Sequence, residues 1–285
     1  MAGDTAVSAA WASVHLKECD VRGKEYFCVL LFPAVPTDER TRRHTKNPLI
    51  VKAGTTFPAT AGRYGDFEEW TLRGLRIKDA PWRVIDVRRR ERLPLPEECR
   101  GVVVTGSHAM VTEENPWSLD LEAWIPPLVE AGVPFFGICY GHQLLARAMG
   151  GTVGYHPAGE EIGTVEIDIL PGASGDPLFG FLPNRIPVHV THEQTVLSLP
   201  DGALRLAANS FEPNHAFRIG TCAWGVQFHP EYTADIMQSY ISEQSDGLRA
   251  AGKNPSETLR TVRETPDAAG LLERFGRIVE DGTFD

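Results

Sequence analysis

The chain has 285 residues, with 28 Lys plus Arg against 38 Asp plus Glu and a formal net charge of −10. Its 42% apolar and 23% charged residues are those of a globular protein, which excludes a wholly disordered or collagen-like chain. The negative balance argues against nucleic acid as a partner, since phosphate binding wants a basic surface, and no run approaches the roughly 20 apolar residues of a membrane helix.

Residues 1–46 stand apart as an N-terminal extension. They show no clear period and carry the basic cluster Arg40, Arg42, Arg43, His44 and Lys46. Two readings stay open: a mobile extension, or a docking arm. The apolar run 26–35 (YFCVLLFPAV) follows Glu18, Asp20 and Glu25 and contains Pro33, so it does not read as an export signal. The cysteines are Cys19, Cys28, Cys99, Cys139 and Cys222. An odd number without C-x-x-C suggests neither a disulfide framework nor a zinc ribbon, and predicts a reducing, cytoplasmic setting.

From Pro48 the pattern is regular. Segment 49–54 (LIVKAG) reads as a buried strand running into a turn. Asp66 is a candidate N-cap for a helix with Phe67, Trp70, Leu72 and Leu75 at near-helical spacing. Strands are predicted at 82–87 (WRVIDV), 101–105 (GVVVT) and 134–138 (PFFGI), and helices at 116–131 and 140–149. After Gly150-Gly151 come short strand-like runs at 162–170, 186–191, 203–208, 216–219 and 223–228, then a helix from about Thr233 and a polar tail, helical over 256–281. Strands alternating with helices imply an α/β fold: a mostly parallel central sheet with helices on both faces, plus a small antiparallel section. The expected layout is 1–46 extension, 47–246 principal domain and 247–285 polar tail.

The most informative segment is Gly137-Ile138-Cys139-Tyr140-Gly141-His142-Gln143. A buried strand enters it and a helix leaves it, so Cys139 falls on a sharp turn at the carboxyl edge of the sheet. Small residues two before and two after let the backbone bend that tightly, the logic of a nucleophile elbow. A helix N-terminus beside the sulfur favours the thiolate, the reactive species. A cysteine nucleophile needs a base, and the base an orienting group. His229 follows an apolar strand in Gly225-Val226-Gln227-Phe228-His229-Pro230-Glu231-Tyr232. Residues two apart on an extended chain point the same way, so Glu231 can orient His229.

With GICYGHQ, the following LLARAMGG, and GVQFHPE, the chain resembles class I (triad-type) glutamine amidotransferase domains over about residues 48–245. The resemblance implies a flavodoxin-like fold, with Cys139 as nucleophile, His229 as general base and acid, and Glu231 as its orienting carboxylate. It implies that backbone N–H groups of the Gly106-Ser107 loop and of Tyr140 hold the oxyanion, and that Gln143 meets the amino-acid end of glutamine. Thr191-His192 resembles the segment whose backbone meets the substrate carboxylate, and Glu161-Ile162-Gly163 the segment after the nucleophile helix. Glutamine would pass through a γ-glutamyl thioester to glutamate and ammonia, with no metal or organic cofactor.

The loop Thr105-Gly106-Ser107-His108-Ala109-Met110 lacks the two glycines and proline of many members. It resembles a standalone subset, like the GMP synthase glutaminase part and the plant γ-glutamyl peptidases, so the donor is glutamine or another γ-glutamyl small molecule. His108, next to that loop, is a further candidate for substrate contact. His142 reads as packing or a polar network, and Cys222 as core. No P-loop is present, and the chain outside 48–245 is too short for an acceptor-activating domain. Three readings follow: a glutaminase-type enzyme, a γ-glutamyl peptidase, or an ammonia-donating subunit silent without a synthase partner.

Overall fold

The computed structural model describes residues 11–20, 25–33, 46–76 and 81–282. The chain divides into Met1–Thr45 and Lys46–Asp285. In the first unit, β1 (Trp11–Asp20) pairs antiparallel with β2 (Glu25–Pro33). Of the basic cluster, Arg40, Arg42, Arg43 and His44 lie outside the described residues.

The second unit runs β3 (Asn47–Lys52), α1 (Pro58–Tyr64), α2 (Phe67–Leu75), β4 (Arg83–Asp86), β5 (Cys99–Val104), α3 (Pro116–Glu130), β6 (Phe135–Ile138) and α4 (Tyr140–Ala148). Then come β7 (Thr152–Tyr155), β8 (Glu161–Ile169), β9 (Arg185–His192), β10 (Gln194–Ser198), β11 (Leu204–Ala208), β12 (Ala216–Ile219) and β13 (Ala223–Val226). Four helices close the chain: α5 (Ala234–Glu243), α6 (Ser245–Ala250), α7 (Pro255–Thr261) and α8 (Pro266–Asp281).

Nine strands form one sheet in the order β4-β3-β5-β6-β13-β12-β11-β8-β9. The first five pair in parallel. The other four extend the sheet by antiparallel pairing, and β7 and β10 form a separate two-stranded ribbon that the sequence reading did not mark. Alternation along the strands splits the core in two. Leu49, Val51, Val102, Val104 and Phe135 face Leu121, Ile125 and Leu128 of α3 and Leu144 and Leu145 of α4. Ile50, Val103, Phe136 and Ile138 face Leu271, Leu272 and Phe275 of α8. Helices on both faces are why the parallel strands carry no polar alternation.

The predicted cap at Asp66 is a capping box: its carboxylate accepts from Phe67 N–H, and Glu69 accepts from Asp66 N–H at 2.8 Å. Asp66 also pairs with Lys52 at 2.7 Å. The segment set apart as a polar tail begins inside α6, and the single helix expected over 256–281 is two, α7 and α8, broken before Pro266. In α8 a stripe of Leu271, Leu272, Phe275, Ile278 and Val279 is buried. No described helix is long and apolar enough to cross a membrane.

Candidate active site

The parallel register assembles the site. Ile138 of β6 stands opposite Val226 of β13, and Val104 of β5 opposite Gly137. The residue after β6 is Cys139, flanked by the loop from Thr105 on one side and the run from Gln227 on the other. Cys139 donates its N–H to Val226 O at 2.8 Å and adopts φ 49°, ψ −94°, between a strand and the N-terminus of α4. This left-handed, sparsely populated conformation costs a non-glycine residue roughly 1–3 kcal/mol. The flanking glycines permit it. A Cβ at Gly137 would lie 2.4 Å from Gly141 O, and one at Gly141 would lie 2.5 Å from Val104 O. The helix therefore presses directly onto the strand ends, with the thiol at its N-terminus.

Beyond β13, Gln227, His229 and Glu231 alternate with Phe228 and Pro230. His229 Nδ1 donates to Glu231 Oε1 at 2.8 Å. The imidazole lies between Tyr232, stacked at 4.1 Å, and Phe67, at 6.5 Å and 20°. Burial by itself would lower the His229 pKa. The Glu231 carboxylate and then the Cys139 sulfur outweigh burial and push it up to about 10. Nε2 meets no partner at full hydrogen-bond geometry, although the Cys139 sulfur is close enough to act on the ring. Resting sites often hold such contacts long.

Cys139 and His229 border a cavity of about 250 Å³, and Glu231 stands behind His229. Ser107, Tyr140, Gln143, Thr191 and His192 also line it. Gly106 lies just behind Ser107, so close to His229 that a Cβ there would sit 3.0 Å from its Cε1. Tyr140 opens α4, where first-turn N–H groups have no partner within the helix. Gln143 spends both amide hydrogens on Gln194 O (2.8 Å) and Gln227 Oε1 (3.0 Å), so its own carbonyl oxygen remains for a ligand. The Thr191 carbonyl lies 4.0 Å from the Cys139 sulfur. The His192 ring is fully committed, Nδ1 to Gln194 O at 3.0 Å and Nε2 to Glu161 at 3.1 Å. That leaves the backbone of this segment as what a ligand can meet. Burial would raise the Glu161 pKa, but His192, His215 and Asn209 hold it below the ordinary carboxylate value.

Among other histidines, His108 lines the cavity and meets Tyr240 Oη at 3.3 Å. His142 is fully buried against Phe217, and burial lowers its pKa to about 3. The sequence reading missed the remaining wall, chiefly Phe57, Phe67, Tyr232, Tyr240 and Gln244. It also gave no role to Gln227, whose Nε2 donates to the Cys139 sulfur at 3.5 Å.

Known proteins resemble this chain in sequence and in fold. The family profile described as glutamine amidotransferase class-I matches residues 64–245. The chain is 33% identical over 147 residues to a glutamine-hydrolyzing GMP synthase of Aeropyrum pernix, covering 50% of this chain and 27% of the synthase. It thus spans about a quarter of the length of the GMP synthases it matches. It is 32% identical over 213 residues to gamma-glutamyl peptidase 4 of Arabidopsis thaliana, covering 72% of this chain and 83% of the peptidase. A solved glutamine amidotransferase from Thermotoga maritima superposes with a TM-score of 0.65 at 28% identity, covering 82% of this chain and 99% of that one.

Proposed function

This chain belongs to the class I glutamine amidotransferase family, and from that membership we propose that it hydrolyses the γ-amide of glutamine through Cys139, His229 and Glu231. The observation that carries the reading is the strained Cys139 elbow beside a histidine whose far nitrogen is bound to a carboxylate at 2.8 Å.

The Cys139 thiolate attacks the γ-carbonyl carbon. N–H groups of the Gly106-Ser107 loop and of Tyr140 receive the charge that develops on oxygen. His229, held as the imidazolium by Glu231, gives its proton to the departing nitrogen as the C–N bond breaks. Ammonia leaves, and a γ-glutamyl thioester remains on sulfur. Neutral His229 then takes a proton from water, which attacks the thioester, releases glutamate and restores the imidazolium–thiolate pair. The free Gln143 oxygen accepts from the α-ammonium of the donor, and the Thr191-His192 backbone meets its α-carboxylate. This chemistry fits the cytoplasmic, reducing setting suggested by the cysteine usage.

A second reading is supported by coverage. The alignment spans 83% of the Arabidopsis peptidase but 27% of the synthase. The same steps with a peptide amine as leaving group make a γ-glutamyl peptidase. Ammonia delivery to a synthase subunit is the third reading. Glutamate release by the purified chain, from glutamine and from γ-glutamyl-cysteinylglycine in parallel, separates them. Turnover of glutamine is expected. Turnover of the peptide alone selects the peptidase, and silence with both, in folded protein, selects the partner-dependent subunit.

A further inference from the structure

One buried side chain is in hydrogen-bond contact with the reacting atom and has no part in the steps above. Gln227 is 0% exposed. Its orientation is fixed by a chain of bonds anchored on the backbone. The Gln194 carbonyl can only accept, so Gln143 turns its amide nitrogen toward it at 2.8 Å. The second hydrogen of that nitrogen goes to Gln227 at 3.0 Å, so the atom of Gln227 meeting it is the oxygen. The Gln227 NH₂ is then left on the Cys139 side, 3.5 Å from Sγ. Its backbone is pinned as well, with the N–H donating to His215 O at 2.8 Å. A neutral thiol is a weak acceptor, whereas a donor aimed at sulfur favours the thiolate.

We propose that Gln227 is a positioning residue for the nucleophile: its N–H holds the Cys139 sulfur as the thiolate and ties it, through Gln143, to the wall that receives the donor. The sulfur thus has two side chains from one extended segment around it. His229 supplies and accepts the proton, and Gln227 supplies a donor that never leaves. The link to Gln143 gives substrate binding a direct route to the sulfur. When a ligand engages the Gln143 oxygen, the amide that orients Gln227 is held more firmly.

The inference rests on Cys139 being the reacting thiol, and the test keeps the two questions apart. The rate of Cys139 alkylation by iodoacetamide is followed against pH by mass of the labelled peptide, in wild type, Gln227→Glu and Gln227→Met. The glutamate variant keeps an acceptor for Gln143 and replaces the donor facing sulfur with a carboxylate oxygen; the methionine variant removes the donor, keeps volume and adds no buried charge. Circular dichroism melts establish that each is folded. Both are expected to move the alkylation midpoint up by about one pH unit, with labelling near neutrality slowed about tenfold. The glutamate variant should shift more, and kcat for glutamine should fall more than KM rises. A structural role alone would scale the rate at every pH and leave the midpoint in place. A wild-type midpoint in either folded variant overturns the proposal. If wild type turns over no glutamine but the midpoint still moves, the positioning role stands and the assigned reaction falls.

Discussion

In the parallel half of the sheet, β3, β5 and β6 bury Leu49, Ile50, Val51, Val102, Val103, Val104, Phe135 and Phe136, whereas the antiparallel half and its loops bury Glu161, His189, His192, Glu212 and His215. The two halves do different work. The parallel strands end at one edge in fixed register, so apolar packing delivers Cys139, the Gly106-Ser107 loop and His229 to one place and can hold a strained residue there. The antiparallel half cannot present loops at a common edge in the same way. It instead contributes a bonded polar network, in which Glu161 joins His192 and Asn209 and Glu212 joins Thr195, and this network braces the Thr191-His192 wall. Substitutions in the first half should therefore act on kcat, and those in the second on KM.

The largest effect is expected at the elbow. Cys139→Ala should remove glutamate release by three orders of magnitude or more, while the circular dichroism melt stays that of a folded protein. Next comes the carboxylate behind the base. Glu231→Gln should lower kcat by on the order of 10³-fold, with a smaller change in KM, and shift the pH–rate profile downward because the imidazolium loses its main support. The sign for stability follows from the same pair. An unfolded histidine titrates near ~6.5 and His229 is raised to about 10. Its contribution is therefore full below the lower value and lost as pH rises toward the upper, a decline that chemical denaturation across this window should show and that Glu231→Gln should flatten.

In the antiparallel half, Glu161→Gln should raise KM about tenfold and change kcat much less, because it loosens His192 without touching the sulfur. An equal loss in kcat would erase the distinction between the halves. The smallest effect is on folding. Cys139→Gly should be inactive yet more stable by about 1 kcal/mol, since glycine relieves the positive φ at a modest entropic cost, and urea unfolding measures it directly.

What could be read in the sequence follows the same division. GICYGHQ was legible because strand-to-helix change and flanking glycines are local features. HPE was legible because alternation on an extended chain is local too. Gln227 sat inside the quoted motif, but its donor reaches the sulfur only through the β6–β13 register, which the sequence does not show. The walls from Phe57, Phe67, Tyr240 and Gln244 come from α1, α2 and α5 and their flanks, elements joined to the site by tertiary packing alone. In α8 the buried stripe is interleaved with Glu273, Arg274, Arg277 and Glu280, so average polarity hid an amphipathic helix. The β7–β10 ribbon pairs short segments far apart in the chain, and Tyr155 at the end of β7 is 59% exposed, so no apolar alternation announced it.

The central claim is that Cys139 carries the γ-glutamyl group. The chain mixed with glutamine, quenched in acid within the first turnovers and digested should yield the Cys139 peptide heavier by one γ-glutamyl unit, the mark being absent from Cys139→Ala and removed by mild base. Steady glutamate release with that peptide unmodified at every quench time, or with the group found on Cys99 or Cys222, would contradict the account.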